Sequence, residues 1–402
     1  MYDVIVVGAR CAGSPTAMLL GRLGYRVLLV DRATFPSDAP RCHFIQPPGV
    51  ARLQRWGLLE KIKASNCPSI PAVRFDVGPF VLFSSSPSTD GGVRSYGPRR
   101  TVLDNILVDA AAEAGVEVRE GFAVQEVLMD GDHVTGIKGR TLDGTTVTEK
   151  TGIVVGADGM RSIVARFVQA PTYNAKPALT CAYFAYWSGV PVDGIEIYER
   201  PQRVIFAFPT NDDLTCIAME CPVQEFQTFR ADIEGNVLKT MALAPSLAER
   251  VQSGRREERF MGSGDLPQFY RKPYGPGWAL VGDASYHKDP YLAQGISDAF
   301  RDAELVTEAI DAGLSGRLGL AEALGNYERR RNEETMPIYE LNSQLASFDP
   351  PSPEMQQLLV ALRGNQAETN RFFGVLQGTV PVSAFFEVID GLTGNVVESG
   401  TN

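Results

Sequence analysis

Gly8, Gly13 and Asp31 are spaced for one piece of chemistry, the grip on the pyrophosphate and ribose of a dinucleotide. Gly8 permits a tight turn after a strand. Gly13 lets the next helix lie close to that strand, so its N-terminal N–H groups and partial positive charge face a phosphate. Asp31, followed by Arg32, ends the second strand, at the spacing from which a carboxylate reaches a ribose hydroxyl. A carboxylate there repels a 2′-phosphate and disfavours NADP in this particular site. Arg10 stands where the fingerprint has its middle glycine. The backbone can still approach the phosphates if that side chain points away.

Two further elements pair an aspartate with a glycine. Gly152-Ile-Val-Val-Gly156-Ala-Asp158-Gly159 runs from an apolar strand into an Asp-Gly turn and a helix. Gly277-Trp-Ala-Leu-Val-Gly282-Asp283-Ala284 is again strand then Gly-Asp, and continues through His287, Pro290 and Gly295 into a helix. An aspartate at the C-terminal end of a strand can accept from ribose hydroxyls. The N–H groups opening the Gly295 helix can face an electron-rich ring edge.

With these three motifs in this order, the chain resembles the FAD-dependent monooxygenases of the single-component aromatic-hydroxylase group, related to para-hydroxybenzoate hydroxylase. The resemblance covers residues 4 to about 305. It implies FAD as the held cofactor and NAD(P)H as a transient co-substrate. It implies that Asp31 holds the adenosine ribose, Arg41 the pyrophosphate, and Asp283 ribityl or ribose hydroxyls. Arg100 would open an Arg-x-x-Leu element near the flavin. Asp158 would serve the FAD side and the NAD(P)H pyrophosphate. Pro290 would line the flavin where oxygen reacts, and Gly295 and Ile296 would offer N–H groups to its pyrimidine end. Gly8, Arg10, Gly13, Arg32, Val124 and Gly282 complete the expected cofactor set. The chain departs from the family in the third motif, where Ala293 replaces a glycine, Ser297 an asparagine, and Ser285-Tyr286 the usual Ala-His.

These residues need a scaffold. Val4–Val7 and Val27–Val30 read as buried parallel strands, and Met18, Leu19 and Leu23 give the helix between them an apolar face that Gly24 ends. The expected fold class is α/β: a Rossmann-like FAD-binding domain from residues 1–73, 99–172 and 272–340, interrupted by a mixed β-sheet substrate domain from residues 74–98 and 173–271. Strands at Thr180–Trp187, Glu196–Tyr198, Arg203–Phe208 and Leu214–Met219 would roof the flavin. Residues 223–252 read as mostly helical. Pro337 marks a break, and residues 341–402 read as short helices with Pro350-Pro351 as a boundary.

The sheet is rich in aromatics. Tyr183, Trp187, Phe206 and Phe208 are the expected substrate contacts, and as a set they suit a large, flat, apolar molecule. Alternation places Tyr183 and Trp187 on one face, with Phe184 and Tyr186 on the other. Of three histidines, His43 and His287 fall in flavin-proximal segments, and with Tyr286 they are the acid–base candidates beside Pro290.

Bulk properties narrow the class. The 402 residues are 44% hydrophobic and 21% charged, as in an ordinary soluble enzyme, and the net charge of −10 argues against non-specific nucleic-acid binding. No apolar run approaches the ~20 residues of a membrane span. The N-terminus reads directly as a strand, which leaves no signal peptide. Six scattered cysteines lack metal-ligand spacing, so no metal is expected, and free thiols in a reducing cytosol are, with Cys42 as the reactive candidate. The partners expected are a small aromatic or polyketide-like substrate and molecular oxygen, with oligomerisation open. The activity implied is hydroxylation through a flavin C4a-hydroperoxide. The geranylgeranyl-reductase branch shares the Gly-x-Arg-x-x-Gly form and is the alternative, as a reductase of isoprenoid double bonds. A halogenase fits less well, because Trp187-Ser-Gly-Val-Pro191 does not match that branch's Trp-x-Trp-x-Ile-Pro. A non-catalytic FAD-binding protein is the remaining class.

Overall fold

In the computed structural model, which describes residues 1–37, 43–85 and 93–384, β1 (Tyr2–Val7) lies at the centre of a parallel sheet. It pairs with β2 (Val27–Val30) on one side and with Thr146–Gly156 on the other. Trp278–Leu280 and Glu117–Arg119 extend the parallel sheet outward on either flank. Val4, Ile5 and Val6 are fully buried, because layers cover both faces. Each such side chain contributes roughly 1.5–3 kcal/mol of burial. On one face pack α1 (Gly13–Arg22) and the helices Arg100–Glu113 and Gly295–Leu314, through Met18, Leu20, Leu107, Phe300 and Val306. On the other lies a hairpin, Ala123–Asp130 with His133–Arg140, over Ile5, Val7 and Leu28. The long strand Thr146–Gly156 serves both: its first half pairs antiparallel with that hairpin, its second half parallel with β1.

The second large sheet draws on two separated stretches of chain. Thr180–Ser188, Thr215–Pro222, Arg203–Pro209 and Ile195–Arg200 are antiparallel neighbours in that order. Ala72–Asp76 then adds in parallel to Ile195–Arg200, with Val81–Ser85 at the edge. Three helices, Phe226–Ala231, Ile233–Met241 and Pro245–Ser253, follow this sheet in the sequence, and Phe229, Val237, Met241 and Leu247 cover one of its faces. The other face looks toward the first sheet.

Pro337 does not break the chain. It lies inside the 27-residue helix Leu320–Ala346. A proline there removes one helical N–H and crowds the preceding turn. Packing just beyond it outweighs that loss: Ile338, Tyr339 and Leu341 are buried, the Tyr339 hydroxyl donates to the Asn174 carbonyl at 2.8 Å, and Asn342 Nδ2 donates to the Asp289 carbonyl at 2.9 Å. The next helix, Pro353–Leu362, begins beyond the Pro350-Pro351 pair. Among the described residues no helix is long and apolar enough to cross a membrane.

Candidate active site

A cavity of about 1100 Å³ lies between the two sheets. It exceeds the ~300–1,000 Å³ of ordinary small-molecule pockets, which leaves room for a dinucleotide and a second molecule. Its floor begins at the β1–α1 turn. Gly8 has φ +104°, a left-handed conformation that favours glycine, and its N–H donates to the Val30 carbonyl at 2.8 Å. A Cβ on Gly8 would lie 2.5 Å from the Ala157 carbonyl oxygen. Gly13 sits behind the wall, and a Cβ there would overlap the Gly8 carbonyl oxygen.

Asp31 closes this end. Its two carboxylate oxygens accept from the N–H groups of Ala9 (2.7 Å) and Ala33 (2.8 Å). Each oxygen keeps a second lone pair, as a ribose hydroxyl requires. Arg32 and Val124 line the same end.

Arg10 does point away from the turn's backbone. Its Nη1 donates to Asp104 at 2.5 Å and its Nη2 to the Ser37 hydroxyl at 2.9 Å, with the guanidinium 5.4 Å from the Phe35 ring centroid. Arg100 grips the same Asp104 from the other side through Nε and Nη2 at 2.8–3.0 Å. Asp104 is fully buried between the two cations. Cys11 lies on the same carboxylate, and burial pushes its thiol up to about 12.

The Asp158 carboxylate is engaged by its own helix. It accepts from the Ser162 hydroxyl (2.5 Å) and the Ile163 N–H (2.6 Å). Burial raises its pKa, opposed by those hydrogen bonds. Asp283 lines the cavity in the one-turn helix Gly282–Ala284. Arg271 ties the two motifs together, donating to the carbonyls of Met160 (2.9 Å) and Ala284 (3.0 Å).

The third motif forms the far wall. Pro290 opens a one-turn helix, Pro290–Leu292, capped by Asp289, which accepts from the Tyr291 N–H at 3.2 Å. Ala293 has φ +49° and ψ +40°, the left-handed conformation for which a glycine would be the unstrained residue. Gly295 and Ile296 then start the 20-residue helix Gly295–Leu314, whose N-cap, Gln294, makes no side-chain cap, so its first N–H groups are left for the cavity. Lys288 lies buried in this wall, its Nζ 2.6 Å from both Asp298 and Gln294. Burial lowers the Lys288 pKa against the pull of Asp298. Burial also works against ionisation of Asp298, but Lys288 and Arg301 outweigh it and hold the carboxyl at about 2.

Of the acid–base candidates, His287 lines the cavity. Its Nδ1–H donates to the Pro267 carbonyl, which directs Nε2 to the acceptor role. Tyr286 also borders the cavity, but its hydroxyl accepts from Arg301 at 3.0 Å and its ring stacks on Tyr270. Burial and the Asp298 charge raise its pKa well above the ordinary value, so it is no base.

His43 is corrected from acid–base candidate to scaffold. It lies one layer behind the wall, stacked on Tyr186 (5.5 Å) and edge-on to Phe208 (5.4 Å), with Nδ1–H donating to the Gly97 carbonyl at 2.9 Å. Its Nε2 has no partner among the described residues. Burial, with Arg100 and Arg99 nearby, lowers its pKa to about 3. Unfolding therefore takes up a proton at any pH between about 3 and the unfolded value of 6.5. Stability from His43 is full above pH 6.5 and is lost as pH falls toward 3, on the order of 5 kcal/mol in all. His43→Asn keeps an N–H for Gly97 and removes the titration. Urea unfolding from pH 7 to pH 4 should give a shallower loss of stability than the wild type shows; equal slopes would clear His43 of the effect.

The aromatic assignment also needs correction. Phe184, Phe206 and Phe208 line the cavity. Trp187 does not: it packs on the opposite face with Val190, Met241 and Leu247. Tyr183 touches the cavity rim, but its ring stacks on Phe229 (4.8 Å) and Phe226 (6.1 Å) beneath the covering helices. The residues on the cavity face of the two central strands are Ala182, Phe184 and Tyr186, opposite Glu220, Ala218 and Cys216. Arg41 and Cys42 lie outside the described residues. Sequence reasoning missed Asp104, Lys288, Asp298, Arg271 and Glu220. Only Glu220 had a signal in the sequence, an ionisable residue at the apolar parity of Cys216 and Ala218.

The family described as FAD binding domain matches residues 1–340. A digeranylgeranylglycerophospholipid reductase from Methanococcoides burtonii is 25% identical over 338 residues, 82% of this chain and 79% of its own. Among solved structures, a flavin-dependent brominase superposes with TM-score 0.81 at 19% identity, covering 99% of both chains. PqsL from Pseudomonas aeruginosa, described as a probable FAD-dependent monooxygenase, superposes with TM-score 0.71 at 21% identity, covering 92% of this chain and 99% of its own. At these identities the solved structures establish the shared fold.

Proposed function

The chain belongs to the FAD binding domain family and is an FAD-dependent oxidoreductase, and from that premise we propose that it is a monooxygenase, reduced by NAD(P)H, that hydroxylates a flat, apolar aromatic or polyketide-like molecule. The observation that carries this reading is the pairing of a glycine-lined dinucleotide cradle with an aromatic roof over one cavity.

The residues fit FAD. Gly8 lines the cavity at a tight turn that a side chain would strain, Asp31 and Asp283 offer carboxylates for hydroxyl groups, and the uncapped start of Gly295–Leu314 supplies N–H donors. Bound there, FAD supplies the redox chemistry. The chain does the rest. Phe184, Phe206 and Phe208 hold a planar substrate and keep water from it. Pro290 shapes the wall toward which the substrate faces. The ion pair of Lys288 with Asp298 keeps that wall dry and rigid. His287 Nε2 is available to take a proton from a substrate hydroxyl. The thiols and composition suit a reducing cytosol.

A second reading, reduction of isoprenoid double bonds, is supported by the digeranylgeranylglycerophospholipid reductase relative and by the Gly8-x-Arg10-x-x-Gly13 fingerprint, which resembles that of the geranylgeranyl-reductase branch. One experiment separates the two. The purified protein should show flavin absorbance, and Asp283→Ala should lose it. Reduced protein mixed with oxygen and a bicyclic phenol should give hydroxylated product. Saturation of a prenyl chain without oxygen would instead establish the reductase, and a protein that takes up no flavin would overturn both.

A further inference from the structure

The roof carries one carboxyl side chain on its cavity face in the two central strands. Glu220 lies in Thr215–Pro222, opposite Ala182 and Val204, with Phe184 and Phe206 one step along the same face. It is 5% exposed, it lines the cavity, and its Oε2 has no hydrogen-bond partner among the described residues. A buried carboxylate oxygen without a partner loses solvation that only a ligand or water can return.

A second carboxylate stands beside it. Asp289, 1% exposed, lines the same cavity and accepts from the Thr180 hydroxyl at 2.9 Å. Thr180 is two positions from Ala182 on the same face, so the two acids meet at one corner of the roof. Burial and the Asp289 charge together raise the Glu220 pKa well above the ordinary range, and burial takes Asp289 up to about 7. The other titratable groups around this corner are Cys221, next in the strand, Tyr291, and Glu199, reached across Val204. None is a cation. Lys288, the neighbouring cation in sequence, is turned to Asp298.

We propose that the Glu220–Asp289 corner is the polar recognition point of the substrate cavity, taking a hydroxyl or N–H donor of an otherwise apolar ring system and excluding aromatic carboxylates. This rests on the reading of the cavity as a substrate site and names the substrate class it selects. With two carboxyl groups and no cation turned to this corner, an arriving carboxylate meets acidic oxygens in a low-dielectric wall and finds no countercharge, whereas a phenol or indole N–H gives Oε2 the donor it lacks.

The test uses the FAD-loaded protein at pH 8 and two probes of one shape, 2-naphthol and 2-naphthoate. Binding is read from the perturbation of flavin absorbance. The wild type should bind naphthol about tenfold or more tighter than naphthoate. Glu220→Gln with Asp289→Asn, which keeps the acceptors and removes both carboxyl groups, should hold naphthol within about threefold and admit naphthoate. Glu220→Leu should weaken naphthol about tenfold. Independently of flavin, the wild-type infrared spectrum should carry a protonated-carboxyl band that persists above the ordinary carboxylate range and that Glu220→Gln removes. Naphthoate binding as tight as naphthol, no binding of either, or a ratio unmoved by both substitutions overturns the proposal. A wild type that retains flavin and consumes oxygen with NAD(P)H while failing this test leaves the monooxygenase reading standing.

Discussion

Gly13→Ala yields a protein without bound flavin and less stable by about 3 kcal/mol. The new Cβ would overlap the Gly8 carbonyl oxygen and come within 3.0 Å of the Ala157 side chain. Neither neighbour can yield cheaply. Gly8 is fixed by its N–H bond to Val30, and Ala157 by its own to the Val7 carbonyl, both at 2.8 Å. Relief therefore requires the start of α1 to lift off the sheet, which moves the N–H groups that the proposed FAD site would offer to the pyrophosphate. The ratio of flavin to protein absorbance and the urea midpoint measure the two effects. Gly364→Ala is the control: an added Cβ there meets nothing within 4 Å, and both measurements should stay at wild-type values.

Asp104→Asn should destabilise the protein by about 3–5 kcal/mol. Asp104 is fully buried and is the shared carboxylate of Arg10 and Arg100, whose side chains are 29% and 6% exposed. An amide keeps the shape but leaves two guanidinium groups facing each other with no negative charge between them. Arg10→Met added to Asp104→Asn should recover part of the loss, because one of the uncompensated cations is then gone. Simple additivity of the two substitutions in urea unfolding would show that the three residues do not act as a unit.

Arg10 also shows how far the sequence could be read. The glycines, Asp31 and the two later Asp–Gly elements were legible because backbone geometry demands them locally. The reason an arginine is tolerated at the fingerprint's middle position was not, since its partner lies on another helix, 94 positions away. The roof strands were legible as strands, with boundaries displaced by a residue or more. Ending the last of them at Met219 rather than Pro222 removed Glu220 from view. Alternation separated Tyr183 and Trp187 from Phe184 and Tyr186 but held no information on which set faces the cavity. That choice is made by the helices between Phe226 and Ser253, which claim the first set. Pro337 misled for a similar reason, because a local helix breaker was outvoted by burial on its far side.

The parallel pairing of Ala72–Asp76 with Ile195–Arg200 has a consequence for synthesis on the ribosome. Val73 and Ile195 are paired although about 120 residues separate them. When the first of these strands emerges, its partner has not yet been translated, and Val73, Phe75 and Leu82, all buried in the finished molecule, have nothing to pack against. The glycine-rich βαβ unit is complete long before the roof can be closed. The nascent chain must therefore carry an apolar hairpin without its next strand while more than a hundred further residues are added. That interval is when a chaperone has the most to shield.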